Sequence, residues 1–212
     1  KALGFTHFCT FEKMQPTLHP LSARGGQAMK EKGLLVMFPG TGYTCREPLF
    51  QLCAARYAKK GYHVLAIDHS HIPFKEIETI EEAMPLVQQA VLDQSAEVDF
   101  GLYGDLVFVS KSLGTITAGW FALERGLSPR HLYLTPVPLA LSYVSEQTRV
   151  MAMVIGDQDP LMDFREIQRL CGKWHFPCLV IEGVGHNLKA EDETRTAAIN
   201  KEILDLCTGE EQ

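Results

Sequence analysis

Six short apolar runs recur along this chain, and the longer stretches between them carry apolar residues at helical spacing. The runs are "GLLVMF" (33–38), "YHVLAID" (62–68), "DLVFVS" (105–110), "HLYLTP" (131–136), "RVMAMVIG" (149–156) and "PCLVIEG" (177–183). Helices are expected near 46–60, 85–97, 114–126, 138–146, 163–173 and 192–207. Parallel neighbours need a long crossover between them, and a helix is the usual one, so this alternation calls for βαβ units. Runs that are apolar at nearly every position, such as Leu34 to Phe38 and Met151 to Ile155, leave no polar face for water. They fit a central sheet covered by helices on both sides.

Two segments fit the rhythm less directly. Pro85 follows the acidic stretch "KEIETIEEAM"; its ring disfavours helix at the preceding residue, so the second helix is expected to start there, with 69–84 as a loop or short broken helix. Near the start, "GFTHFCTFEK" is compatible with an edge strand and "HPLSARGGQAMKEKG" has turn chemistry.

No Pro/Gly/Ser-rich linker, repeat or low-complexity tract divides the 212 residues, and the expectation is one domain over 1–212. With 46% hydrophobic and 22% charged residues the composition is that of a globular protein, and no apolar run approaches the roughly 20 residues that span a bilayer. The formal charge of -6 and the scattered basic residues argue against a nucleic-acid partner. Six cysteines without Cys-x-x-Cys or tight zinc spacing point to a reducing, cytoplasmic setting, and "KALGFTHFCTF" lacks the apolar core of a secretory signal.

The chemistry centres on "LVFVSKSLGTITAGW", where a strand runs into Ser-Lys-Ser and then a helix. A phosphate-cradling loop needs glycine immediately before Lys-Ser and another five positions earlier, places held here by Ser110 and Asp105. A nucleophile elbow needs a serine on a sharp turn with small residues two before and two after it, because backbones crowd there. Ser110-Lys111-Ser112-Leu113-Gly114 has that spacing, with Ser110 in place of the usual first glycine. An activated hydroxyl also needs a base, and the base a carboxylate to orient it. Asp157 and Asp159 in "MVIGDQDPLM" and His186 in "IEGVGHNL" each follow a strand, at the edge where parallel sheets place their sites.

In these pieces, together with "FPGTGY" after the first clear strand, the chain resembles the α/β-hydrolase superfamily over most of residues 33–207. The resemblance implies a three-layer sandwich with a mostly parallel central sheet, and acyl transfer to water by Ser112, Asp159 and His186. The family's Gly-x-x-Asp turn, counted from Gly156, selects Asp159, with Asp157 as the rival. It further implies that the backbone amides of Leu113 and Thr41 hold an oxyanion, with Pro39 where relatives often carry histidine.

The reaction expected is hydrolysis of an ester or thioester of a small-molecule acyl substrate, with no organic cofactor and no metal. Amide cleavage and acyl transfer to another acceptor use the same constellation. A hydrolase-like binding or scaffold protein is the alternative, supported by the departures at Ser110 and Pro39. Strand alternation would put His69 and His71 on one side, but a third ligand for zinc is missing, so a pocket-lining or surface role is expected. Lys111 is expected to be an exposed residue of the elbow. Only twelve residues separate Pro136 from Arg149, so no large lid is expected; the walls would come from 69–84, 137–148 and the N-terminal segment.

Overall fold

The computed structural model describes residues 31–208, and the expectations for the first 30 residues lie outside them. Among the described residues six strands form one sheet: β1 (Gly33–Phe38), β2 (Tyr62–Ala66), β3 (Leu106–Lys111), β4 (Arg130–Leu134), β5 (Arg149–Gly156) and β6 (Cys178–Ile181). Their order is β2-β1-β3-β4-β5-β6, and every pairing is parallel. The helices are α1 (Pro48–Lys59), α2 (Ile80–Ser95), α3 (Leu113–Glu124), α4 (Phe164–Trp174) and α5 (Glu193–Thr208).

Period-two alternation sorts the strand residues onto two faces. Leu35, Met37, Val107, Val109, Leu132 and Val154 pack with Leu49, Phe50 and Cys53 of α1 and Ile199 and Ile203 of α5. Leu34, Val36, Phe38 and Phe108 pack the other way, against Val91 of α2 and Ala118 and Phe121 of α3. Tyr133, Met153 and Ile155 extend that second layer over Ile167 and Cys171 of α4. This is the three-layer α/β sandwich that the doubly apolar strands require.

Three local expectations are corrected. The second helix begins at Ile80, not Pro85: Thr79 accepts a hydrogen bond from the Glu82 amide at 3.2 Å, and Glu81 and Glu82 add negative charge to the first turn. That Thr-x-x-Glu cap sustains a start five residues earlier, and Pro85 costs the helix one amide donor near its beginning. The segment expected as a helix over 138–146 is a 3₁₀ helix, Pro138–Tyr143, packed against α3. β2 ends at Ala66, so the backbone leaves regular alternation before His69 and His71.

The chain lays β1 and β2 to one side and then crosses back past β1 to build β3 through β6. At such a reversal, here between β1 and β3, the following loops diverge in opposite directions, and doubly wound sheets place a crevice at the C-terminal ends of those strands.

Candidate active site

Ser112 occupies the single residue between β3 and α3, with φ 53° and ψ -120°. A non-glycine residue with positive φ is disfavoured by roughly 1–3 kcal/mol, so its surroundings must hold it there. They do: the Ser112 amide donates to Leu134 O at 3.0 Å, and its carbonyl accepts from the Thr115 amide at 2.8 Å and the Thr115 hydroxyl at 2.5 Å. Crowding explains the small neighbours. A methyl at Gly114 would stand 2.1 Å from Phe38 O, so only glycine lets α3 start against the end of β1. Ser110 is fully buried and donates its hydroxyl to Leu132 O at 3.3 Å, which removes it from the crevice.

His186 stands on the irregular loop after β6. Its Nε2 is 2.7 Å from Ser112 Oγ, and its Nδ1 is 2.8 Å from Asp159 Oδ2. The Asp159 side chain is buried and its other oxygen accepts from the Leu161 amide at 2.9 Å, while the imidazole keeps 22% of its surface exposed. Burial lowers the His186 pKa below its ordinary 6.5 and the Lys111 charge lowers it further, against the opposing pull of Asp159. A neutral imidazole that donates Nδ1–H to Asp159 presents an acceptor lone pair at Nε2, facing the Ser112 hydroxyl.

The rival carboxylate is engaged elsewhere. Asp157 Oδ1 accepts from the Gly183 amide at 2.7 Å, bracing the turn that follows β6. Gly156 brings the acid and histidine loops together: a methyl there would lie 2.1 Å from Val184 O.

Gly40 and Tyr43 exchange backbone hydrogen bonds of 3.0 and 3.3 Å, closing the loop after β1 into a tight turn with Thr41 exposed at its tip. A methyl at Gly40 would come within 3.1 Å of Ser112 Cβ, so this turn lies directly on the elbow. Leu113 is the first residue of α3, and its amide is one of those that a helix leaves without an intrahelical acceptor. Beside Leu113 lies an apolar cluster of Ile72, Val87, Ile116, Val137 and Ala140.

Lys111 and the His69–His71 pair depart from the sequence expectations, and Thr135 was not among them. Lys111 is not exposed: it is 2% accessible, its ammonium donating to Thr135 Oγ1 at 2.6 Å and to His186 O at 2.5 Å. His69 and His71 part company, His69 buried with Nε2 3.2 Å from Gly40 O and His71 at the surface. Thr135, which has positive φ, received no role from the sequence, because nothing in "LYLTP" marks its hydroxyl as an acceptor. Among the described residues no three His, Cys, Asp or Glu side chains gather as metal ligands, and no helix is long and apolar enough to cross a membrane.

No family model matches the sequence, and neither does any curated protein. Solved structures do match in fold. An alpha-beta serine hydrolase homologue from Coxiella burnetii aligns with TM-score 0.55 at 12% identity, over 84% of this chain and 86% of that one. A protein of the alpha/beta superfamily of hydrolases from Xanthomonas campestris gives 0.58 at 13%, covering 84% and 98%. Est1E from Butyrivibrio proteoclasticus with ferulic acid bound gives 0.56 at 18%, covering 83% and 90%. The chain has the α/β-hydrolase fold.

Proposed function

We propose that this protein is a serine hydrolase that cleaves an ester or thioester of a small-molecule acyl substrate through an acyl-enzyme on Ser112. The observation that carries the reading is the continuous hydrogen-bonded line from Ser112 Oγ through both ring nitrogens of His186 to Asp159, with spacings of 2.7 and 2.8 Å. Such a line converts a weak hydroxyl into a nucleophile at neutral pH. The fold shared with an alpha-beta serine hydrolase homologue supports it.

In the first half-reaction Ser112 Oγ attacks the acyl carbon while His186 Nε2 takes its proton. The carbonyl π electrons move to oxygen, and the Leu113 and Thr41 amides stabilise that oxyanion. Asp159 stabilises the imidazolium and holds its Nδ1–H. Collapse expels the alkoxide or thiolate, which leaves with the proton from Nε2. Water then gives a proton to Nε2 and attacks the acyl-serine, and the carboxylic acid departs as Ser112 recovers its hydrogen. No step calls for a metal or organic cofactor.

The test is covalent labelling of the native protein with a fluorophosphonate, followed by peptide mapping. The label is expected on Ser112 and absent in Ser112→Ala. A label on Ser110 would refute the register of the elbow, and no label at all would leave the fold as a binding scaffold.

A further inference from the structure

The residue before the nucleophile carries a side chain unusual for a protein interior. Lys111 ends β3, and its whole length is buried. Burying an ammonium costs far more than burying a methionine of similar length, and the cost is offset only where acceptors meet its protons. Here they do so from separate loops: Thr135 Oγ1 after β4 accepts at 2.6 Å, His186 O after β6 accepts at 2.5 Å, and the Tyr43 ring from the loop after β1 lies 5.1 Å away. One side chain thus ties together the loops that follow three different strands. Packing alone would not select a cation for this task.

The grip on His186 has a particular consequence. The histidine sits on a loop without regular structure, flanked by Gly183 and Leu188 at positive φ. Its ring is held by Ser112 and Asp159, but a ring can swing about its own backbone unless that backbone is anchored as well. The anchor comes from the residue covalently joined to Ser112, so nucleophile and base are located from the same point of β3.

We propose that Lys111 is a positioning residue of the catalytic group: its ammonium fixes the His186 backbone against Thr135 and so aligns the imidazole between Ser112 and Asp159. This rests on the reading of Ser112, His186 and Asp159 given above. The charge itself has a second effect. The titratable groups facing Lys111 are Asp159 after β5 and Lys189 and His186 after β6, with the Tyr43 ring opposite. Burial pulls the lysine down to about 8, Asp159 opposes that and Lys189 reinforces it. At neutral pH Lys111 is therefore largely charged, and its charge favours the neutral, proton-accepting form of His186.

The experiment follows two readouts in the full chain, parent and Lys111→Met. The first is the pH profile of kcat/KM on 4-nitrophenyl acetate. The second is the NMR titration of the His186 imidazole, identified by its loss in His186→Ala, which requires no turnover. Lys111→Met is expected to lower plateau kcat/KM by about 10- to 100-fold through misalignment of the base. Loss of the charge is expected to move the imidazole titration, and the acid limb with it, upward by about half a pH unit or more.

A folded Lys111→Met protein with parental kcat/KM overturns the proposal. So does a fall in activity with the titration unmoved, because that is what a merely structural lysine would give. Should Lys111→Met fail to fold, Thr135→Val keeps the ammonium and removes one acceptor. It is then expected to lower kcat/KM several-fold, and unchanged kinetics in it overturn the proposal equally. Failure of the parent to react with a fluorophosphonate would strike the acyl-enzyme reading alone, since the imidazole titration still reports the Lys111 contact.

Discussion

Replacing Gly156 by alanine tests the site where two loops are pressed together. A methyl group there would lie 2.1 Å from Val184 O and 2.9 Å from Gly185 O, whereas side-chain carbons essentially never approach closer than 3.0 Å. Both obstacles are backbone, so the end of β5 must part from the His186 loop by about 0.9 Å. Asp159 lies three residues beyond Gly156, in a turn closed by its own amide on Gly156 O at 3.3 Å, and it moves with one side; His186 moves with the other. If the shift falls along the Asp159–His186 bond, its 2.8 Å becomes about 3.7 Å, which is no longer a hydrogen bond. Misplacement on the order of 1 Å costs about 10²-fold, so kcat/KM on 4-nitrophenyl acetate is expected to fall by at least that factor. The overpacking itself should remove about 1–3 kcal/mol of stability, read by denaturant unfolding. Gly172 in α4 supplies the control: nothing lies within 4 Å of a methyl there, so Gly172→Ala should gain roughly 0.5–1 kcal/mol and keep parental kinetics. Parental kcat/KM in a folded Gly156→Ala protein would refute the claim that this backbone contact aligns acid and base.

Ser112→Ala should abolish ester turnover while Ser110→Ala, whose hydroxyl only meets Leu132 O, keeps substantial activity; comparable turnover in Ser112→Ala and the parent would contradict the assignment. Asp159→Asn should reduce kcat by a factor on the order of 10² to 10⁴ through the wrong imidazole tautomer, whereas Asp157→Asn retains an oxygen for the Gly183 amide and stays near the parent. Because burial and the Lys111 charge lower the His186 pKa, the acid limb of kcat/KM should lie below pH 6.5, and a limb above that value would count against this environment. Lys111 titrates at about 8 when folded and 10.5 when unfolded, so the unfolded chain binds more protons between these values and stability rises with pH across that window. Relative to Lys111→Met, the parent should gain roughly 3 kcal/mol over that window, measured by urea unfolding at a series of pH values; a constant difference would show that the lysine titrates normally.

The layered sheet was legible in the sequence because its physics is local. Val36 and Val109 are apolar neighbours of apolar residues, and such runs can only be buried from both sides. The strand-turn-helix at Ser112 was legible for the same reason: Gly114 must be small wherever a helix starts against a neighbouring strand, and its contact with Phe38 O is that crowding made explicit. The order of Ser112, Asp159 and His186, each just beyond a strand, could likewise be read along the chain, since parallel strands bring their C-terminal ends to one edge.

What lay beyond the sequence was direction. Whether Asp157 or Asp159 turns toward His186 depends on a turn whose hydrogen bonds run to Val184 and Gly183, residues about 26 positions away, and no periodicity governs side chains once a strand has ended. His69 and His71 diverge for that reason, and α2 runs through Pro85 from the Thr79 cap with Ala83 and Val87 buried on either side of the proline, a tertiary contact that local propensity does not carry. Lys111 is the sharpest case: its charge argues for the surface, and only the convergence of Thr135, Tyr43 and the His186 carbonyl from the loops after three other strands supplies the partners that let an ammonium remain inside.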